Sequence, residues 1–157
     1  MKPFRLLFLC TGNSARSQMA EAILSVRSQG RFLVESAGSK PAGRVNPLAI
    51  TTLRDHGIEW RGHPPRTVDG LEGEPRDFVI TVCDRAKESC PVFPGQPILA
   101  HWGMEDPAEA VGEEAGKKAF RDAYLILARR IDLLLALPVE KLERLALTAK
   151  LKAIGES

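Results

Sequence analysis

The stretch that decides the fold reads Arg5-Leu6-Leu7-Phe8-Leu9-Cys10-Thr11-Gly12-Asn13-Ser14-Ala15-Arg16-Ser17. Arg5 to Leu9 is a near-continuous apolar run, which predicts a strand buried on both faces of a parallel sheet. Small and polar residues follow. From Arg16 to Gln29, Met19, Ile23 and Val26 then recur at i, i+4 and i+7, which predicts a helix with Gly30 as its stop. Strand, tight loop and helix in that order open an α/β unit.

Working outward, three more apolar runs read as strands: Phe32 to Glu35, Phe78 to Val82 and Pro97 to Ala100. Asn46-Pro47 suits the N-cap and first turn of a helix that Gly57 closes. Phe120, Tyr124, Leu127, Ile131 and Leu134 mark one face of a long helix that Pro138 ends. A final helix from Pro138 to about Ile154 is expected to pack Leu142, Leu145 and Leu151, and Gly62 to Pro75 reads as a long surface loop. No repeat or linker interrupts the chain, so residues 1–157 are expected to form a single domain. The fold class is α/β, with a four-stranded parallel sheet and helices on both faces. Right-handed crossovers bring the C-terminal end of every strand to one edge. Cys10, Ser36, Cys83 and Asp106 therefore converge there.

Composition narrows the function classes. The chain has 157 residues, 27% of them charged, and a formal net charge of +2. Its basic residues are spread along the sequence, so no nucleic-acid partner is expected. The apolar run Leu6–Leu9 before Cys10 is too short for a signal peptide, and nothing approaches the ~20 apolar residues of a membrane span. A cytoplasmic protein is expected. Three cysteines leave one unpaired in any disulfide framework, which favours reactive thiols.

In the loop Cys10 to Ser17, the small residues Gly12, Ser14 and Ala15 let the backbone curl. The N–H groups of Thr11, Gly12, Asn13, Ser14, Ala15 and Arg16 can then surround an anion. The start of the helix and the planar Arg16 guanidinium add positive charge at the same point. That field favours a thiolate, so Cys10 is expected to have a depressed pKa and to act as nucleophile. Ser17 is expected to hydrogen-bond the Cys10 sulfur and Asn13 to brace the loop. Gly38 and Gly43 have the spacing of a nucleotide P-loop, but Arg44-Val45 stands where Lys and Ser or Thr are required.

The Cys-x-x-x-x-x-Arg-Ser loop, with Asp106-Pro107 late in the chain, resembles the low-molecular-weight protein tyrosine phosphatase superfamily. Within it, Cys83 and Cys90-Pro91 and the run His101-Trp102-Gly103-Met104-Glu105-Asp106-Pro107-Ala108 are most similar to the thioredoxin-coupled arsenate reductases. The resemblance extends from about Phe4 to Leu137. It implies that Cys10 attacks arsenate held by Arg16 and the loop amides. Cys83 then attacks Cys10, Cys90 attacks Cys83, and thioredoxin reduces the resulting disulfide. No cofactor is implied beyond thioredoxin as electron donor.

Cys83 and Cys90 lie seven positions apart, without the second pair that a zinc site requires, so no metal is expected. Singly, either could be an inert thiol. A helical segment between them would hold their Cα atoms ~10 Å apart, beyond the ~4.4–6.8 Å a disulfide tolerates. A Cys83–Cys90 bond therefore requires that segment to unwind. Asp106 is the candidate general acid, although it equally suits the N-cap of a helix starting at Pro107. Glu105 is the fallback acid. His101 and Trp102 read as pocket or packing residues, and His56 and His63 as surface ones.

Two other functions use the same loop. A phosphatase for phosphate monoesters needs Cys10, Arg16 and Asp106 but neither other cysteine. A non-enzymatic anion-binding or redox-sensing module predicts that arsenate protects Cys10 without turnover. Relatives with a potassium site use residues matching Asn13, Glu21 and Ser36, plus an acidic residue that falls here near Arg66. That cation would repel potassium, so no potassium site is expected.

Overall fold

The computed structural model describes residues 2–83 and 93–157. Four parallel strands form the sheet: β1 (Phe4–Cys10), β2 (Phe32–Gly38), β3 (Phe78–Thr81) and β4 (Ile98–His101), in the order β2-β1-β3-β4. Leu6, Leu7 and Phe8 of the interior strand β1 are fully buried, as both faces of a central parallel strand must be. Phe4, Phe32 and Phe78, on adjacent strands, pack their rings at 5.8 and 6.1 Å beside one another. The register pairs Phe8 with Ser36 and with Ile80, and Leu9 with Thr81. The C-terminal ends of β1, β2 and β3 therefore meet at one edge.

Helix α1 spans Arg16–Arg27, α2 Pro47–Asp55, α3 Glu113–Leu135 and α4 Arg144–Gly155. Helix α1 packs on β2 and against α3, α2 sits against both helices, and α4 lies along β4. Asn46 caps α2 by accepting from the Leu48 N–H at 2.9 Å, with Pro47 in the first turn. In α3, Phe120, Tyr124, Leu127, Ile131 and Leu134 are all buried, as the heptad-like spacing predicts.

Several sequence readings shift. Strand β2 runs on to Gly38, so Ser36 lies inside the strand rather than after it. Val26 is 58% exposed, because the buried arc of α1 is centred between Met19 and Leu24 and Val26 falls on its rim. The last helix does not begin at Pro138. A 3-10 turn at Val139–Lys141 and an extended Leu142 intervene, and α4 starts at Arg144. That start sets Leu147, Leu151 and Ile154 inward and leaves Leu145 exposed. The loop after α2 is irregular as expected, but its Thr67 bridges to Gly38 and its Val68 is buried. Cys90 and the expected unwinding between Cys83 and Cys90 lie outside the described residues.

Candidate active site

Cys10 ends β1 and Arg16 begins α1, so Thr11 to Ala15 make the whole turn between them. Every loop carbonyl from Cys10 to Ser14 is tied outward. The N–H groups of Ser39, Lys40, Ala42 and Asn46 donate to the carbonyls of Cys10 (3.2 Å), Thr11 (2.9 Å), Gly12 (2.9 Å) and Ser14 (2.9 Å), and the Gln18 amide donates to Asn13 O at 3.2 Å. A peptide plane is rigid, so holding its carbonyl outward turns the following N–H inward. Asn13 takes the left-handed conformation at φ 50°, which asparagine tolerates better than most residues. Ala15, at the N-cap of α1, makes no side-chain cap, so the first-turn N–H groups are left for a ligand.

Above this nest lies a cavity of about 510 Å³, lined among others by Cys10, Arg16, Cys83, Met104 and Asp106. The Arg16 guanidinium, nine-tenths buried, donates to the Met104 carbonyl at 2.9 Å, and its Nε finds no partner among the described residues. A buried donor without a partner costs about 1–3 kcal/mol. A tetrahedral oxyanion in the cavity would relieve that cost by accepting from it.

Cys83 lies two residues past the end of β3, and its sulfur is 3.2 Å from Thr11 Oγ1. It lines the same cavity as Cys10. The neighbouring Cys83 thiol is the largest influence on Cys10 and pushes its pKa up. Burial adds to the rise, while the Arg16 charge and the Thr11 N–H pull down. The sequence expectation of a depressed Cys10 pKa is thus corrected, because it left out the neighbouring thiol.

Asp106 takes the cap position that the sequence allowed, and its other oxygen faces Arg16. Its Oδ1 caps the 3-10 turn Pro107–Glu109 by accepting from Ala108 N–H at 3.0 Å, while its Oδ2 lies 3.7 Å from the Arg16 guanidinium at the mouth of the cavity. Glu105, the alternative acid, is exposed and does not line this cavity. His101 bonds Thr81 Oγ1 through Nδ1 at 2.7 Å, and Trp102 is fully buried.

Behind the loop, Asn13 Nδ2 donates to Ser17 Oγ at 2.8 Å and to Ser36 Oγ at 2.9 Å, bracing the turn as expected. Ser17 makes no hydrogen bond to the Cys10 sulfur; its hydroxyl is taken by Asn13. His63, expected at the surface, is half-buried. Its Nε2 lies 3.0 Å from Glu21 Oε1, and Glu21 also accepts from the Ser36 hydroxyl. Arg66 donates its backbone N–H to Asn13 Oδ1 at 3.1 Å and its Nε to Ser36 O at 3.0 Å. The oxygens that would have to face a potassium ion are therefore engaged by nitrogen donors, one of them a guanidinium. This set does not fit the ion.

The sequence profile of the low molecular weight phosphotyrosine protein phosphatase family matches residues 5–146, and the chain belongs to that family. Within it, the chain is 40% identical over 115 residues to an arsenate reductase of Bacillus licheniformis, covering 73% of this chain and 82% of that relative. The crystal structure of an arsenate reductase from Archaeoglobus fulgidus superposes with a TM-score of 0.67 at 30% identity, covering 84% of this chain and 99% of that one. A thioredoxin-dependent arsenate reductase of Corynebacterium glutamicum superposes at 0.59 with 27% identity, covering 84% of this chain and 63% of that one.

Sequence reasoning missed the part that residues 38–46 take in shaping the loop. Gly38 is required because a Cβ there would stand 2.5 Å from the Thr11 carbonyl oxygen and 3.0 Å from Asn13 N. Ser39, Lys40, Ala42 and Asn46 act through their backbone N–H groups, which no side-chain motif reveals.

Proposed function

We propose that this chain reduces arsenate to arsenite with electrons supplied by thioredoxin. The observation that carries the reading is a second cysteine, Cys83, lining the same oxyanion cavity as Cys10. Hydrolysis needs one sulfur. Reduction needs a second within reach, and the family relatives named arsenate reductase support it.

Each residue has a role in the sequence of steps. Thr11 to Arg16 bind the oxyanion through backbone N–H groups and the guanidinium. The Cys10 sulfur bonds to arsenic, and one arsenic-bound oxygen leaves as water with a proton from Asp106. Cys83 then attacks the Cys10 sulfur. The S–As bond breaks with its electron pair left on arsenic, so arsenic(V) becomes arsenic(III) and a Cys10–Cys83 disulfide remains. Cys90 attacks Cys83, restoring the Cys10 thiolate, and the Cys83–Cys90 disulfide is reduced by the thioredoxin dithiol. Ser17 acts through Asn13 as part of the loop's brace. Potassium takes no part. No helix among the described residues is long and apolar enough to cross a membrane, and the thiol relay suits a reducing cytoplasm.

The test is to assay arsenate-dependent thioredoxin oxidation and aryl phosphate hydrolysis with wild type and Cys83→Ser. Loss of reduction with hydrolysis intact is expected. Hydrolysis in wild type with no reduction of arsenate would make the chain a phosphatase. Protection of Cys10 by arsenate without any turnover would make it a binding module.

A further inference from the structure

The family profile ends at residue 146, and the chain continues through α4 to Gly155. Helix α4 is built into the body of the molecule at three points. The Trp102 indole N–H donates to Leu151 O at 3.1 Å. A Cβ at Gly155 would run into the His101 carbonyl oxygen, so the helix end lies directly against the end of β4. Arg130, from α3, joins the two: its Nη1 donates to Trp102 O at 2.9 Å and Gly103 O at 3.2 Å, and its Nη2 to Gly155 O at 3.1 Å.

Arg130 is only 6% exposed. Among the described residues no carboxylate lies within ion-pair distance of it, so carbonyl dipoles alone offset the buried charge. Burial, and to a lesser degree Arg129, lowers its pKa from the ordinary arginine value. One of its three carbonyls belongs to the C-terminal end of α4, where helix carbonyls carry partial negative charge.

Trp102 and Gly103 lead out of β4 into the segment ending at Asp106. Arg16 holds the far part of that segment through Met104 O and approaches the Asp106 carboxylate. Arg130 holds its root. An incoming oxyanion competes for the donors of Arg16, so the segment needs an anchor that substrate does not touch. We propose that Arg130 is a positioning residue for the Asp106 carboxyl, and that α4 completes its site by supplying the Gly155 carbonyl. The inference rests on Asp106 being the general acid.

A double-mutant cycle in the full-length chain tests it, reading the single-turnover rate at which arsenate drives disulfide formation, followed as loss of free thiol. General acids contribute about 10²–10⁴-fold, so a misplaced one costs about tenfold. Arg130→Met is expected to slow the reaction by that factor in the wild-type background. In the Asp106→Asn background it should cost less than about twofold, because the group it positions is already gone. Gly155→Ala is expected to give the same pattern, acting from α4. Phosphate should still protect Cys10 from alkylation in both variants. Equal slowing in both backgrounds makes Arg130 a general structural support and overturns the proposal, as does a wild-type rate in Arg130→Met. Should Arg130→Met lose its near-ultraviolet dichroism, Arg130→Lys and Gly155→Ala carry the cycle. A wild-type chain that forms no disulfide with arsenate rejects the reductase reading instead. The same cycle is then run on aryl phosphate hydrolysis, where Asp106 protonates the leaving oxygen.

Discussion

At the scale of single residues, the chemistry turns on two sulfurs that line one cavity. The sequence places Cys10 beside Arg16 and a helix start, and from those alone its pKa should fall. The structure adds Cys83, whose neighbouring thiol outweighs the guanidinium and pushes the Cys10 thiol up. A raised pKa favours the protonated form, so Cys10 should alkylate slowly at neutral pH and faster as pH rises. Cys83→Ala removes the largest cause of the rise. It is expected to move the midpoint of Cys10 alkylation by iodoacetamide to lower pH and to speed the reaction at pH 7. A midpoint displaced upward would mean that Cys83 stabilises the Cys10 thiolate by donating to it. Asp106 was legible as a candidate but not as a choice between cap and acid, because Asp-Pro suits both. Only its 3.7 Å approach to Arg16 brings it into the cavity.

At the scale of elements, the oxyanion loop takes its shape from a second segment. The N–H groups of Ser39, Lys40, Ala42 and Asn46 hold its carbonyls outward, and Gly38 lets the two backbones touch. Gly38→Ala is expected to force them apart, at a cost of about 1–3 kcal/mol typical of overpacking. Thermal unfolding would show that loss, and phosphate protection of Cys10 against alkylation should weaken at least about tenfold, since the amide ring opens. A variant with lowered stability but unchanged protection would show that the loop keeps its shape without this contact. Helix faces were well read in α3, where one stripe meets the core along its length. The reading was poorer in α4, whose register depends on where the 3-10 turn ends rather than on Pro138.

At the scale of the whole molecule, residues from α1, β2 and the long loop after α2 meet behind the active site. Glu35 gathers Arg5, Arg66 and Arg76, and Arg66 reaches on to Ser36 and Asn13. With Arg66 and His63 supplying donors there, the rate of arsenate reduction should change by less than about twofold when potassium chloride replaces choline chloride at equal ionic strength. A several-fold activation specific to potassium would show that these side chains yield to the ion. The strand–loop–helix unit, its cysteine and its arginine were legible in the chain alone. These residues are neighbours along the chain, and their geometry follows from local backbone rules. Long-range packing settles which thiol governs Cys10, what turns the loop amides inward, and how the C-terminal helix meets the segment that carries Asp106. Those are contacts between backbone groups and side chains many residues apart, and neither periodicity nor a motif marks them in advance.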